Sequence, residues 1–290
     1  MRNAIAVMNT KGGVGKSTFV LAAAETLAAK LAKTVLVIDG DAQASVSLML
    51  LSAGNLSRLQ LDGLTVVDLL VGGVLRDEAV DWSRYVVAGV SDVDEARSVY
   101  LLPSDMQLTL FEREVAKQGL LAPLRAGIGA LLGHVRAAFD VVLIDCAPGL
   151  SVLTECWLRE ADYYLAPTNP DHISTYALEV FAHFRGLNPE MGFADQLGVL
   201  ITMMDDQSPA DREHARRLME DAQNKCFAQA LPRSKALQHA GHFSTVERSY
   251  GRKYPGPTGA AVEAVCREML ERLAAAPAAS ATASPPVAPA

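Results

Sequence analysis

The run Lys11-Gly12-Gly13-Val14-Gly15-Lys16-Ser17-Thr18 concentrates cations, hydroxyls and glycines in one short stretch. Glycines let a backbone turn its N–H groups to one side, and a helix start adds N–H groups of its own. Together they make a cradle for phosphate oxygens. In this reading Gly12, Gly13, Val14 and Gly15 supply amides and Lys16 reaches the β- and γ-phosphates. The Ser17 hydroxyl ligates Mg²⁺, with Thr18 beside it. The usual pattern for such a loop is G-x-x-x-x-G-K-[ST]. Here Thr10 stands in place of the first glycine, and a second lysine, Lys11, precedes Gly12.

Phosphoryl chemistry also needs carboxylates for the metal and for water. Two aliphatic runs end in them: Val35-Leu36-Val37-Ile38-Asp39-Gly40-Asp41 and Val141-Val142-Leu143-Ile144-Asp145. An acid after four aliphatic residues suits a Mg²⁺ ligand, the role expected of Asp145. Asp41 is placed to orient an attacking water. Asp39 divides between the Mg²⁺ shell and structural support. Each aspartate alone would be an ordinary cap or turn residue. It is their coincidence with the lysine-rich loop that points to Mg²⁺-dependent nucleotide hydrolysis.

These groups must be carried by strands and helices that bring them to one edge. Strands are expected over 4–8, 35–39, 99–102, 141–145, 163–166 and 197–203. Helices are expected over 17–31, 108–118, 128–138, 151–160, 174–187, 209–223 and 259–275. Alternation of this kind predicts a single α/β phosphate-loop domain, a mostly parallel twisted sheet with helices on both faces. Strands without polar alternation are buried on both sides. In such a sheet, ligands bind beyond the carboxyl ends of the strands, where the loop and the acids would meet. Residues 52–94 are less regular, with short helices around Val66–Leu70. The domain is expected over 1–273, and the Ala/Pro/Ser-rich stretch 274–290 reads as a disordered tail.

The 290 residues are half hydrophobic, ample for a core, and carry a formal charge of −7. That balance does not describe a globally basic nucleic-acid binder. A local basic segment exists, with Arg233, Lys235, Arg248, Arg252 and Lys253 against the single acid Glu247. No apolar stretch approaches the ~20 residues that span a bilayer. The first strand starts within a few residues, so no secretory leader is expected. Cys146, Cys156, Cys226 and Cys266 show no C-x-x-C spacing and read as reduced thiols.

Lys11-Gly-Gly-Val-Gly-Lys16-Ser-Thr, Asp39-Gly-Asp41-Ala-Gln43 and Asp145-Cys-Ala-Pro148-Gly together resemble the ParA/MinD group of deviant Walker ATPases, with the ParA-type partition and positioning ATPases nearest. Leu102-Pro103-Ser104, Gly198 to Asp205 and Leu231-Pro232-Arg233-Ser234 extend the similarity to about Leu273. Ala42 and Ala147 depart from it, standing where proline is common. The resemblance implies ATP and Mg²⁺ as cofactors, with Met203, Pro232 and Arg233 near the adenine. It also implies a homodimer that forms on ATP, in which Lys11 crosses to the partner's nucleotide.

Further expectations follow from the family: non-specific DNA binding through the basic segment, a cargo adaptor that stimulates hydrolysis, and a cytoplasmic, nucleoid-associated location. A MinD-like membrane-associated regulator shares the motifs but ends in a basic amphipathic helix, whereas the tail here has no lysine or arginine. An iron–sulfur reductase needs paired cysteines. A phosphate-loop metabolic ligase is the remaining alternative. No helix-turn-helix is expected ahead of the loop.

Overall fold

The computed structural model describes residues 2–275. Strands β1 (Ala4–Val7), β2 (Val35–Gly40), β3 (Val87–Ala88), β4 (Val99–Leu102), β5 (Val141–Cys146), β6 (Tyr163–Thr168) and β7 (Asp195–Ile201) lie in the order β3-β4-β2-β5-β1-β6-β7. All neighbours run parallel except β3, which pairs antiparallel with β4 at the edge. Side chains alternate between two cores. Ile5, Val7, Val35, Val37, Val141 and Leu143 point to one. Ala4, Ala6, Leu36, Ile38, Val142 and Ile144 point to the other. Both sides are covered, so every position on these strands ahead of the acids Asp39 and Asp145 is apolar.

The first core is closed by α1 (Lys16–Leu31), α2 (Ser45–Leu50), α3 (Ala53–Leu61), α10 (Lys235–Ala240), α11 (Tyr250–Lys253) and α12 (Pro257–Ala275). The second is closed by α4 (Val66–Leu70), α5 (Leu108–Gln118), α6 (Leu121–Ala138), α7 (Val152–Glu160) and α8 (His172–Leu187). Helix α9 (Pro209–Glu220) packs Ala215 and Leu218 against Ile201. Among the described residues no helix is long and apolar enough to cross a membrane.

Several elements differ from expectation. Helix α6 begins at Leu121, because Pro123 falls in its first turn, where a missing N–H costs nothing. Helix α9 ends at Glu220, and a separate 3₁₀ turn, Ala222–Asn224, follows the extended Asp221. Helix α3 was not expected at all. It buries only Leu56, too little to print a period on the sequence. The proline-rich stretch read as a disordered tail lies, from residue 276 onward, outside the described residues.

Register sets the site. Asp145 on β5 stands level with Val7 on β1 and with Asp39 on β2. The carboxyl ends of three adjacent strands therefore finish together, directly below the turn that follows β1.

Candidate nucleotide site

The turn between β1 and α1 is held from beneath by polar side chains at the ends of β6 and β7. The Asn9 amide donates to the Pro167 carbonyl (2.7 Å) and Thr168 Oγ1 (3.2 Å), while its oxygen accepts the Lys11 amide (2.9 Å). Thr202 Oγ1 donates to the Val14 carbonyl at 2.9 Å. Gly13 and Gly15 take φ of 75° and 81°, the left-handed region that side chains resist. Helix α1 starts at Lys16 without a side-chain cap, whereas α3, α7, α8 and α9 are capped by Ser52, Ser151, Asp171 and Ser208. The first N–H groups of α1 thus face the turn without a capping side chain, the arrangement an anion requires. Lys16 is largely buried. Desolvation pushes its ammonium down, and Asp145 and Asp41 pull it back up.

The acids occupy three different environments. Asp39 is fully buried and saturated: Oδ1 accepts the Asp41 amide (3.2 Å), and Oδ2 accepts the Ser47 amide (3.0 Å) and hydroxyl (2.6 Å). Burial pushes its carboxyl up to about 7, against those hydrogen bonds. Of the two roles left open for Asp39, this bonding matches support of the Asp41 loop, since little lone-pair capacity remains for a metal. Ser104 completes the clamp. Its amide donates to Ser47 Oγ (3.1 Å) and its hydroxyl to the Asp41 carbonyl (2.7 Å). Asp41 itself is half-exposed and accepts the Gln43 amide at 2.9 Å. Gly40 between the two acids admits no side chain, since a Cβ would lie 2.9 Å from Trp157 Nε1 and 3.1 Å from the Asp145 carbonyl.

Asp145 is the opposite case. Both carboxylate oxygens are buried, and neither has a hydrogen-bond partner. Burial and the neighbouring Asp39 push its carboxyl well above the ordinary range, with Ser17 and Lys16 opposing. A buried carboxylate left unpaired costs free energy unless a ligand satisfies it. A hydrated Mg²⁺ carried by nucleotide phosphates fits this donor set, one carboxylate and the Ser17 hydroxyl. Among the described residues there is no group of three or more His, Cys, Asp or Glu that would cage a metal without a nucleotide. Cys146, next in sequence, is fully buried, and burial raises its thiol far above the ordinary value.

On the other side of the loop a cleft is lined by Gly15, Thr18, Phe19, Met203, Pro232 and Arg233. Met203 holds φ of 53°, and the chain then pairs with 231–233: the Met204 amide donates to the Leu231 carbonyl (3.0 Å) and the Arg233 amide to the Met204 carbonyl (2.8 Å). The three residues expected near the base therefore share this wall.

The basic segment divides. Arg233, Lys235 and Arg252 are exposed. Arg248 is half-buried, its guanidinium paired with the Asp92 carboxylate at 2.9 Å and donating to the His242 carbonyl at 3.0 Å. Lys253 overturns its expected surface role. Its side chain is fully buried, with Nζ 2.6 Å from both Glu25 on α1 and Asp92. Tyr254 and Ser91 hydroxyls also donate to Glu25. A buried ammonium locked between two carboxylates cannot reach a phosphodiester. Sequence reading missed this cluster, as it missed Asn9, Ser47, Ser104 and Thr202. The available signal was a glutamate inside the alanine- and leucine-rich α1, which demands a buried cation.

A strand, a lysine-bearing glycine turn, a helix N-terminus and an unpaired acid on the neighbouring strand define a phosphate-loop nucleotidase. The family model for an AAA domain matches residues 2–187, and the chain belongs to that family, as a ParA/MinD-type ATPase. It is 25% identical to the chromosome-partitioning ATPase Soj of Treponema pallidum, over 94% of this chain and 98% of Soj. Among solved structures, apo McdA of Cyanothece superposes with a TM-score of 0.70 at 19% identity, over 93% of this chain and 99% of McdA. Cobyrinic acid a,c-diamide synthase of Mycobacterium smegmatis, with bound ADP and magnesium, gives 0.73 at 22% identity, over 95% and 96%. At these identities the structural likenesses establish the fold.

Proposed function

We propose that this chain is a Mg²⁺-dependent ATPase that pairs on ATP, binds DNA without sequence preference as a pair, and positions a cargo over the nucleoid. The observation that carries the reading is the Asp145 carboxylate, buried without a partner beside Lys16 and level with the end of β1. In this reading the Gly12–Gly15 amides and Lys16 bind the phosphates of ATP. Ser17 and Asp145 hold Mg²⁺, which neutralises developing charge on the transferring phosphoryl group. Asp41, aimed by the Asp39–Ser47–Ser104 clamp, orients water. Met203, Pro232 and Arg233 flank the base.

Lys11 is left over from this inventory, since one loop lysine already serves the phosphates. As a cation on a half-exposed loop it suits a site completed by a second copy, acting as a finger that stabilises charge in trans. Resemblance to partition ATPases supports the same assignment. Arg233, Lys235, Arg252 and the rim residue Arg248 form the DNA face, and pairing doubles that face and raises its avidity. A ligase reading arises from the synthase neighbour. It calls for no second loop lysine and no nucleotide-driven pairing. The test is sedimentation with ATP or ADP, in Mg²⁺, with and without random duplex DNA. Pairing and salt-sensitive DNA retention in ATP alone support the proposal. A monomer in both nucleotides sinks the switch.

A further inference from the structure

Helix α5 stands behind both acid-bearing loops. Ser104, just ahead of it, donates to the Asp41 carbonyl at 2.7 Å, and α5 itself buries Leu108, Phe111 and Val115 in the second core. Between Phe111 and Val115, Glu112 reaches the start of α7. Its Oε1 accepts the Ser151 hydroxyl at 2.5 Å and the Leu153 amide at 2.8 Å. Ser151 in turn accepts the Thr154 amide at 3.2 Å. The free Leu153 and Thr154 amides of α7 are thus covered by side chains, one of them reaching in from another helix. The stretch 147–150 joins Cys146 at the end of β5 to Ser151. Gly149 takes φ of 87° there, and Pro148 lies against the phosphate loop, 4.0 Å from where a Cβ on Gly12 would be. Among the described residues the backbone of 148–150 takes part in no backbone–backbone hydrogen bond. The backbone of the loop after Asp145 is therefore held from its two ends, by β5 and by Glu112 through Ser151.

We propose that Glu112 is a positioning residue for phosphoryl transfer: through Ser151 it fixes the loop that follows Asp145 against the phosphate loop, and so acts on turnover and not on ATP binding. This rests on the reading of the site as an ATPase. The hydrogen-bond partners of Glu112, Ser151 and Leu153, lie outside the residues assigned to ATP and Mg²⁺. The phosphate loop has its own supports in Asn9 and Thr202, at the ends of β6 and β7, and does not depend on α7. Loss of the pin therefore leaves the nucleotide cradle intact and frees one end of a loop beside the reacting phosphate. A displacement of about 1 Å near the reacting atoms costs up to about 100-fold in rate, so an unpinned loop slows turnover by about 10- to 100-fold.

The test compares Glu112→Ala with Glu112→Gln. Glutamine keeps an Oε1 that accepts both hydrogen bonds, whereas alanine removes them. Phosphate release in a single turnover with Mg²⁺ and ATP affinity by calorimetry are measured on the full chain, well below its melting midpoint. Glu112→Ala is expected to release phosphate about 10- to 100-fold more slowly while binding ATP within about two-fold of wild type. Glu112→Gln should restore release to within about three-fold of wild type. Ser151→Ala, which loses one of the two bonds, should slow release by less than Glu112→Ala. Wild-type release by Glu112→Ala, or a loss of ATP binding that matches the loss of rate, overturns the positioning role. A glutamine variant as slow as the alanine variant overturns its hydrogen-bond basis. Should Glu112→Ala fail to fold, wild-type release by Ser151→Ala overturns the proposal. Wild type that binds ATP and releases no phosphate overturns the ATPase reading, and the inference with it, before any variant is compared.

Discussion

Lys253→Met tests whether the C-terminal segment is anchored through a buried charge cluster. The substitution keeps the length of the side chain and deletes the ammonium that sits 2.6 Å from Glu25 and 2.6 Å from Asp92. All three side chains are within 1% of complete burial, so water cannot replace the lost partner. Breaking one partner of a buried ionic set costs about 3–5 kcal/mol, out of the ~5–15 kcal/mol that a domain holds. At about 2–4 °C per kcal/mol for a chain this long, the midpoint falls by roughly 6–20 °C. The loss also depends on pH. Burial pushes the Glu25 carboxyl up, and Lys253 is the leading group holding it down.

Without Lys253 the folded-state value rises further above the unfolded one. The folded variant then binds a proton that the unfolded chain lacks. Its stability is fullest in acid and is lost as pH rises through the folded value. The deficit relative to wild type is therefore smaller near pH 5 than near pH 8. Urea melts followed by circular dichroism at both pH values check this. A deficit under about 1 kcal/mol, or one equal at both pH values, refutes the cluster as an anchor. A variant of wild-type stability that has lost DNA retention would restore Lys253 as a contact.

Lys16→Ala should abolish ATP binding measured by calorimetry, and unchanged affinity would remove the loop assignment. Asp41→Ala should bind ATP and fail to release phosphate, and normal turnover would take water orientation from Asp41. Asp145 must be ionised to take Mg²⁺, and burial and Asp39 hold its carboxyl above the ordinary range, so the Mg²⁺-dependent gain in ATP affinity should still be growing with pH where ordinary carboxylates are already fully ionised. Nucleotide-free stability should move the other way. Asp39, pushed up to about 7, contributes stability that is complete in acid and lost as pH rises through that value. A flat calorimetric profile contradicts the metal role. Replacing Arg233, Lys235 and Arg252 by alanine should reduce the salt slope of DNA retention, while an unchanged slope places the contact elsewhere.

The chemistry-bearing residues were legible because their spacing is dictated by backbone geometry: a lysine after glycines at a helix start, an acid after an aliphatic run. The sheet was legible because strands such as Val35–Gly40 are buried on both faces and open on an unbroken aliphatic run, Val35 to Ile38. The supporting residues were not. Asn9, Ser104 and Thr202 act through partners distant in the chain, and a lone polar residue at a strand end prints no pattern. Asp39 and Asp145 read alike, yet one is saturated by Ser47 and Asp41 while the other is unpaired. Both are fully buried and stand level in register, so only their hydrogen-bond partners separate them. Lys253 misled because its charge suggests a solvated face, and its two carboxylate partners lie 161 and 228 positions away in the chain.

The most direct test of a shared active site is to mix Lys11→Ala with Asp41→Ala. The first lacks the lysine given to its partner, and the second lacks the water-orienting acid in its own site. Alone, each should be inactive. In a mixed pair, the Lys11→Ala subunit keeps its own Asp41 and receives Lys11 from its partner, so one site of the two is complete. An equal mixture should recover about a quarter of the wild-type phosphate-release rate. A mixture no more active than its separate components would contradict a nucleotide site built from two copies of this chain.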